Sequence, residues 1–246
     1  MSSPKTRGRF ITFEGLDGSG KSTQVGLLAS ALEQRGIDVL VTREPGGTLL
    51  GEEVRKILLD PRKKDMSPHA ELALMFACRA QLLHEVIAPA LEKGRWVLCD
   101  RFVDSSEAYQ GGGRQLGSGP IRTLHATLAR NFTPWLTFLL DGDLGKVLGR
   151  AQARDMAAKG KNEGRFEAEN APFFERVQSR FREIAEREPH RVCVVDADQS
   201  IAAIHQQILD RLDQRLRERT QTAPEAFLER NPSNSAHAEI AQGGFS

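Results

Sequence analysis

The sequence predicts an α/β fold: a five-stranded parallel sheet flanked by helices. Three observations predict it. Short apolar runs at 9–14, 38–42, 95–100, 135–141 and 191–196 alternate with stretches of helical periodicity. Strands separated by helices pair in parallel through crossovers, which leaves helices on both faces of the sheet. Three of the runs close on an acid, Glu14, Asp100 and Asp141. In such sheets ligands gather at the carboxyl edge of the strands, so chemistry is expected at these acids.

The elements follow in order. "RFITFE" (9–14) is β-branched and aromatic, and glycines stop it. A helix is predicted from Lys21 to Arg35, with Val25, Leu28, Ala29 and Leu32 on one face and Gly36 at its C-terminal end. "DVLVT" is the second strand, and Leu49 to Leu59 a short helix stopped by Pro61. Pro68 starts a long helix reaching Lys93, which Pro89 should kink or break. "RWVLCD" is apolar on both faces, as a buried parallel strand should be. Glycine and serine crowd 111–119, and a helix runs from Pro120 to Arg130. After "WLTFLLD" and "RVCVVD", a last helix carries Ile201, Ile204, Ile208, Leu212 and Leu216 at helical spacing. Residues 1–8 read as a flexible N-terminus, 9–219 as the domain, and 220–246, rich in Pro, Asn, Ser and Gly, as a disordered tail.

Charge narrows the function. Lys and Arg number 34 against 33 Asp and Glu, so the basic excess of a general nucleic-acid binder is missing. Cys78, Cys99 and Cys193 are too few and too scattered for a disulfide framework and suit a reducing compartment. No apolar run is expected to span a bilayer, and "MSSPKTRGRF" lacks the apolar core of a secretory signal. A cytoplasmic protein with no membrane and no nucleic-acid partner is expected. Six histidines without an H-E-x-x-H pattern offer no zinc site.

"FEGLDGSGKST" (13–23) holds G-x-x-x-x-G-K-S between a strand and a helix. Gly15, Gly18 and Gly20 let backbone N–H groups, with Ser19 and Thr23 beside them, curl round a phosphate at a helix N-terminus. Lys21 would reach the β- and γ-phosphates, and the Ser22 hydroxyl would ligate Mg²⁺. Such a loop means a nucleoside triphosphate such as ATP, and leaves GTPases, ATPases and kinases open. Asp17, inside it, is either a turn residue or an acid facing an acceptor. In "TREPGGT" (42–48), Arg43 is poised at the same sheet edge, or is solvated. "CDRFVDSSEAYQGGGR" (99–114) ends a strand at Asp100, an acid suited to Mg²⁺, followed by Arg101 in reach of two phosphoryl groups. Ser105, Ser106, Tyr109 and Gln110 offer hydroxyl, ring and amide groups for a nucleoside, or are ordinary loop polars. In "LMFACRAQLL" (74–83), Phe76 and Arg79 share a helix face. The pair suits a base, but plain core with a snorkelling arginine serves as well. Arg150, Arg154, Lys159, Lys161 and Arg165 form a basic stretch, either a solvated face or a closing lid at about 150–168.

Taken in order, "FEGLDGSGKST", "REPGGT", "DRFVDSSEAYQGGGR" and "GRFE" (164–167) resemble bacterial thymidylate kinase, from about Arg9 to Arg217. The resemblance implies the P-loop NTPase (nucleotide kinase) fold and ATP-dependent phosphorylation of thymidine monophosphate (dTMP) to the diphosphate, supplying dTTP for DNA synthesis. It implies a homodimer packed through helices. It implies that Arg43, Arg79 and Arg101 hold the acceptor nucleotide, that Phe76 stacks on thymine, that Tyr109 and Gln110 contact sugar and base, and that Asp17 sits by the sugar hydroxyl and metal. It also implies a lid arginine acting in phosphoryl transfer, Arg154, Arg165 or Arg150, since the phosphate loop's variable positions carry none. Two positions depart from the family. The stacking Phe often stands four residues before the helix Arg, where this chain has Met75, and Gly164 replaces the usual lid Asp. The rival readings are another nucleotide kinase and a slowly hydrolysing nucleotide-gated switch; a switch should lack a second substrate pocket.

Overall fold

The computed structural model describes residues 8–157, 164–166 and 168–220. The expected N-terminal flexibility (1–8), except at Gly8, and the tail from 221 on lie outside them, as do Lys159, Lys161 and the last residue of "GRFE". The chain divides into two compact units, one ending at Asp210 and one beginning at Arg211.

The first unit is a five-stranded parallel sheet of order β2-β3-β1-β4-β5. Its strands are β1 (Phe10–Glu14), β2 (Val39–Arg43), β3 (Trp96–Asp100), β4 (Leu136–Asp141) and β5 (Val192–Asp196). β1 is central and wholly buried. Its one buried hydroxyl, on Thr12, is satisfied by Thr137 on β4 at 2.7 Å. Two clusters pack on the face that carries Thr12: Phe10, Val97 and Cys99 with Leu82, Ile87 and Phe102, and Leu139 and Val192 with Phe173, Val177 and Phe181.

Helices α1 (Lys21–Gln34) and α2 (Leu49–Leu59) match expectation closely, α2 with Thr48 accepting from the Gly51 N–H. The long helix is divided: α3 (Pro68–Leu82), a π-helical turn (Leu83–Ile87) and α4 (Ala88–Glu92). Pro89 has no N–H for the Glu85 carbonyl and its ring crowds that turn, so the helix widens there. An 18-residue window within Pro68–Glu92 has a mean hydropathy of 1.2, so the stretch is long and apolar enough to cross a membrane by length and composition. That corrects the expectation that no run is; here it packs into the protein through Leu72, Phe76, Leu82, Ile87 and Leu91.

After β3 come α5 (Val103–Ser106), a π-helical segment (Glu107–Gly113) and α6 (Ser118–Ala129). Two helices that the sequence analysis does not resolve then follow, α7 (Leu144–Ala157) and α8 (Ala171–Arg187). α8 is capped by Asn170, whose side chain accepts from the Phe173 N–H, and buries Phe173, Phe174, Val177, Phe181 and Ile184. The final helix, α9, spans Ile201–Thr220. The described part of the second unit is its C-terminal half, with an i,i+3 ion pair between Arg215 and Glu218.

His125 on α6 is buried, and neither ring nitrogen has a hydrogen-bond partner among the described residues. Burial, then the Arg79 charge, pushes its pKa down to about 4. The unfolded chain takes up that proton near pH 6.5, the folded chain only near pH 4. Its contribution to stability is therefore whole above pH 6.5 and is lost as the pH falls towards 4, by up to about 3 kcal/mol. His125→Leu should flatten this acid limb in urea titrations at pH 7, 5.5 and 4.5. An unchanged slope between those pH values would refute it.

Candidate active site

The turn from β1 into α1 builds an anion site. Gly15 has φ +133° and Gly18 φ +87°. A Cβ at Gly15 would lie 2.4 Å from the Leu140 carbonyl oxygen, and one at Gly18 2.1 Å from that of Val147. Only glycine permits this path. Gly20 precedes α1 with no side chain capping the helix, so its first N–H groups are left for a ligand anion. The Ser19 hydroxyl is buried without a partner among the described residues. Lys21 Nζ donates to the Leu16 carbonyl at 2.8 Å and lies 3.7 Å from Asp17. Burial, then the charge of Arg101, lowers its pKa, opposed by Asp17, Asp100 and Glu14. Ser22 Oγ donates to Asp100 Oδ2 at 2.6 Å, and Thr23 follows on the exposed side of the first turn.

Arg101 joins this loop to a second region. It has φ +73°, a left-handed backbone that a non-glycine residue adopts at a cost of order 1–3 kcal/mol. Its guanidinium donates to the Gly15 carbonyl (2.9 Å), Asp17 Oδ1 (2.8 Å), Ser105 Oγ (3.0 Å) and the Tyr109 hydroxyl (3.3 Å). Burial acts to raise the Asp17 pKa, but Arg101 and Lys21 outweigh it and hold the carboxyl below the usual range. Beneath lies Glu14, which accepts from the Phe102 N–H at 2.7 Å and Ser105 Oγ at 2.5 Å. Burial, then the nearby Asp104 charge, pushes its pKa up to about 8.

A cleft opens beside Arg101. Asp17, Arg79, Ser105, Ser106, Tyr109, Gln110 and Arg154 line it, so the structure gathers most of the predicted residues. Arg79 is buried; it grips Glu44 through Nε (2.9 Å) and an amino group (2.6 Å) and donates to the Phe102 carbonyl (3.0 Å) and Ser106 Oγ (3.1 Å). Its other amino group has no partner among the described residues. The Tyr109 ring is held edge-on by Phe166, Phe173 and Phe181. Gln110 donates its amide NH₂ to Glu71 Oε1 at 2.8 Å.

Five predicted residues stand elsewhere. Phe76 is fully buried with Leu72 and Ile121, under the Arg79 guanidinium, and does not reach the cleft. Met75, one residue earlier and so turned about 100° on the helix, lines it instead. Arg43 pairs with Glu52 at the protein surface, at 2.8 and 2.9 Å. Arg165 is buried, donating to the Leu58 carbonyl (2.6 Å) and pairing with Glu71 (2.7 Å). Arg150 donates to the Gly18 carbonyl at 3.0 Å, on the loop side. Asp141, a strand-end acid, is taken up by Gln178 and Arg182, both at 2.7 Å. Glu14 stands where the sequence analysis expects a strand-end acid, at the carboxyl edge of β1. Glu44 and Glu71 escaped it; Glu44 lies inside a quoted motif, directly after β2.

A family model described as thymidylate kinase matches residues 13–208. The chain is 46% identical over 211 residues to the thymidylate kinase of Exiguobacterium sp., covering 86% of this chain and 97% of that one. It is 45% identical over 221 residues to that of Teredinibacter turnerae, covering 90% and 99%. A crystal structure of thymidylate kinase from Ehrlichia chaffeensis superposes with a TM-score of 0.67 at 34% identity, covering 84% of this chain and 99% of that one.

Proposed function

The chain belongs to the thymidylate kinase family, and from that premise we propose how its residues divide the work. The activity is phosphorylation of dTMP to dTDP, with ATP as the donor. An oxygen of the acceptor phosphate attacks the γ-phosphorus in line, and the bond to the β–γ bridging oxygen breaks as ADP leaves. The acceptor phosphate is already ionised near neutral pH, so no strong base is required. Catalysis is positioning plus neutralisation of charge.

Gly15, Gly18, Ser19, Gly20, Ser22 and Thr23 cradle the triphosphate, with Lys21 on the transferring group. Arg101 neutralises the acceptor phosphate, and Asp17 holds Arg101 in that direction. The pair of Ser22 and Asp100 is a hard oxygen set fitting Mg²⁺, which keeps several waters and takes few protein ligands. When bound there, Mg²⁺ supplies charge neutralisation to the phosphates.

The observation that carries the acceptor assignment is the cleft beside the phosphate loop, with a donor and an acceptor on its wall. Arg79 has an amino group without a partner among the described residues, and Gln110 has turned its NH₂ away towards Glu71. A base with a carbonyl next to an N–H, as in thymine, matches that pair. Met75 takes the place on the base that the resemblance assigned to Phe76. Such a second pocket favours a kinase over a nucleotide-gated switch. An ADP-release assay across the nucleoside monophosphates tests this. Rapid turnover with cytidine or uridine monophosphate and none with dTMP would sink it.

Tyr109 faces the sugar in this arrangement. Its ring is backed by three phenylalanines and has no room to yield, so it crowds a 2′-hydroxyl. Tyr109→Ala should narrow the preference for deoxythymidine over ribothymidine monophosphate. An unchanged ratio of kcat/KM for the two would contradict the steric role.

Residues 150–168 act as a lid. The enzyme works in the cytoplasm as a homodimer; Leu49, Leu50 and Ile57, left exposed on α2, support a helix-mediated contact. Sedimentation at micromolar concentration distinguishes monomer from dimer.

A further inference from the structure

We infer that Glu71 is a positioning residue that sets base selectivity, by fixing which end of the Gln110 amide faces the acceptor cleft. This rests on the assignment of Gln110 as a base contact. Glu71 stands in the first turn of α3 and is fully buried. Every polar group that touches its carboxylate among the described residues is cationic or a donor. Gln110 Nε2 donates at 2.8 Å and Arg114 Nε at 3.2 and 3.4 Å, an Arg114 amino nitrogen lies at 3.1 Å, and an Arg165 amino nitrogen forms an ion pair at 2.7 Å without hydrogen-bond geometry. Arg114 reaches on to Glu169 at 2.5 Å, and Arg165 is anchored on the Leu58 carbonyl.

A carboxylate paired with two guanidinium groups only accepts hydrogen bonds. It therefore claims the NH₂ of Gln110 and leaves the carbonyl as the end available to the cleft. A Gln in water offers either end; this one offers an acceptor. Thymine and uracil present N3–H, a donor, and pair with it. Cytosine presents a lone pair at N3, and two acceptors would then face each other in a desolvated site. Glu71 never touches the nucleotide in this scheme. Arg165, from the lid, helps hold it, so the docked lid and the base-reading amide share one buried carboxylate.

The test is kcat/KM for dTMP, dUMP and dCMP in wild type, Glu71→Gln and Gln110→Leu, with thermal melts alongside. A Gln at 71 both donates and accepts, so Gln110 is free to flip. The dTMP:dCMP ratio should fall at least tenfold in Glu71→Gln, while dTMP:dUMP, whose bases share N3–H, stays put. A merely structural role would lower all three activities together and leave both ratios unchanged, which overturns the inference. Should Glu71→Gln fail to fold, Glu71→Gln with Arg165→Met removes one stranded guanidinium, and the same two ratios decide. Gln110→Leu separates the levels. If it leaves dTMP:dCMP unchanged, Gln110 does not read the base, and the assignment beneath falls with the inference. If it moves that ratio and Glu71→Gln does not, the inference alone fails.

Discussion

Lys21→Ala and Arg101→Ala should each lower kcat on the order of 10³-fold or more, with the fold retained. The ammonium of Lys21 is buried at the phosphate loop, and Arg101 spans from that loop to the acceptor cleft. Charge that builds on the transferring group meets both in a site from which much water is excluded. There one charge-assisted donor is worth several kcal/mol in the barrier. The folded state, by contrast, gains little from Lys21. Burial disfavours its charge, and its partner Asp17 remains paired with Arg101 when it is gone. Lys21→Ala should therefore melt within a few degrees of wild type. Arg101→Ala keeps the left-handed backbone strain, because alanine also carries a Cβ, and leaves Asp17 only its 3.7 Å contact with Lys21, so it should be less stable than Lys21→Ala. A coupled ADP assay with thermal melts checks both. Wild-type turnover in either variant, or unfolding of Lys21→Ala, would contradict the assigned roles.

Much of this site was legible because its parts are local. The phosphate loop is contiguous, its glycines are demanded by backbone geometry, and the strand before it and helix after it are strongly patterned. Asp100 and Arg101 were legible for a similar reason, since a buried strand ending on polar residues delivers them to one edge. What failed was whatever depends on the far side of a contact. Phe76 and Met75 are adjacent, and only the packing of α3 on α6 decides that the Phe is core and the Met faces the cleft. The ion pair of Arg165 with Glu71 joins residues with no shared motif or element, so no spacing rule could find it. The helix α8 is different. Its Asn170 cap, its proline at the first turn and its apolar stripe were all in the sequence. The basic, glycine-containing stretch before it drew attention to charge and away from period.

The same contact divides the lid arginines. Arg154→Ala should lower kcat and kcat/KM together, on the order of 10³-fold, as loss of an arginine acting in phosphoryl transfer does. No variable position of the phosphate loop, Leu16 to Ser19, is basic. Arg101 is engaged at the acceptor side. Arg154 lines the cleft, and its charge bears on Asp17, which places it nearest the transfer region of the candidates on α7. It is exposed on the helix surface, where a charged side chain is worth little to stability, so the variant should melt close to wild type. Arg165→Ala should behave in the opposite way. Its guanidinium is buried on Glu71 and Leu58, so its loss removes a buried ion pair and should cost about 2–3 kcal/mol of stability, less than a wholly stranded partner because Arg114 stays on Glu71. Arg150, held on the outer side of the loop at the Gly18 carbonyl, should fall between them, with a modest change in the KM for ATP. Steady-state kinetics at saturating ATP and dTMP, with urea unfolding on the same preparations, separate the three. Near-normal kcat in Arg154→Ala, or a thousandfold loss in Arg165→Ala with unchanged stability, would reverse the order and make Arg165, drawn off Glu71 as the lid closes, the arginine that meets the transferring phosphoryl group.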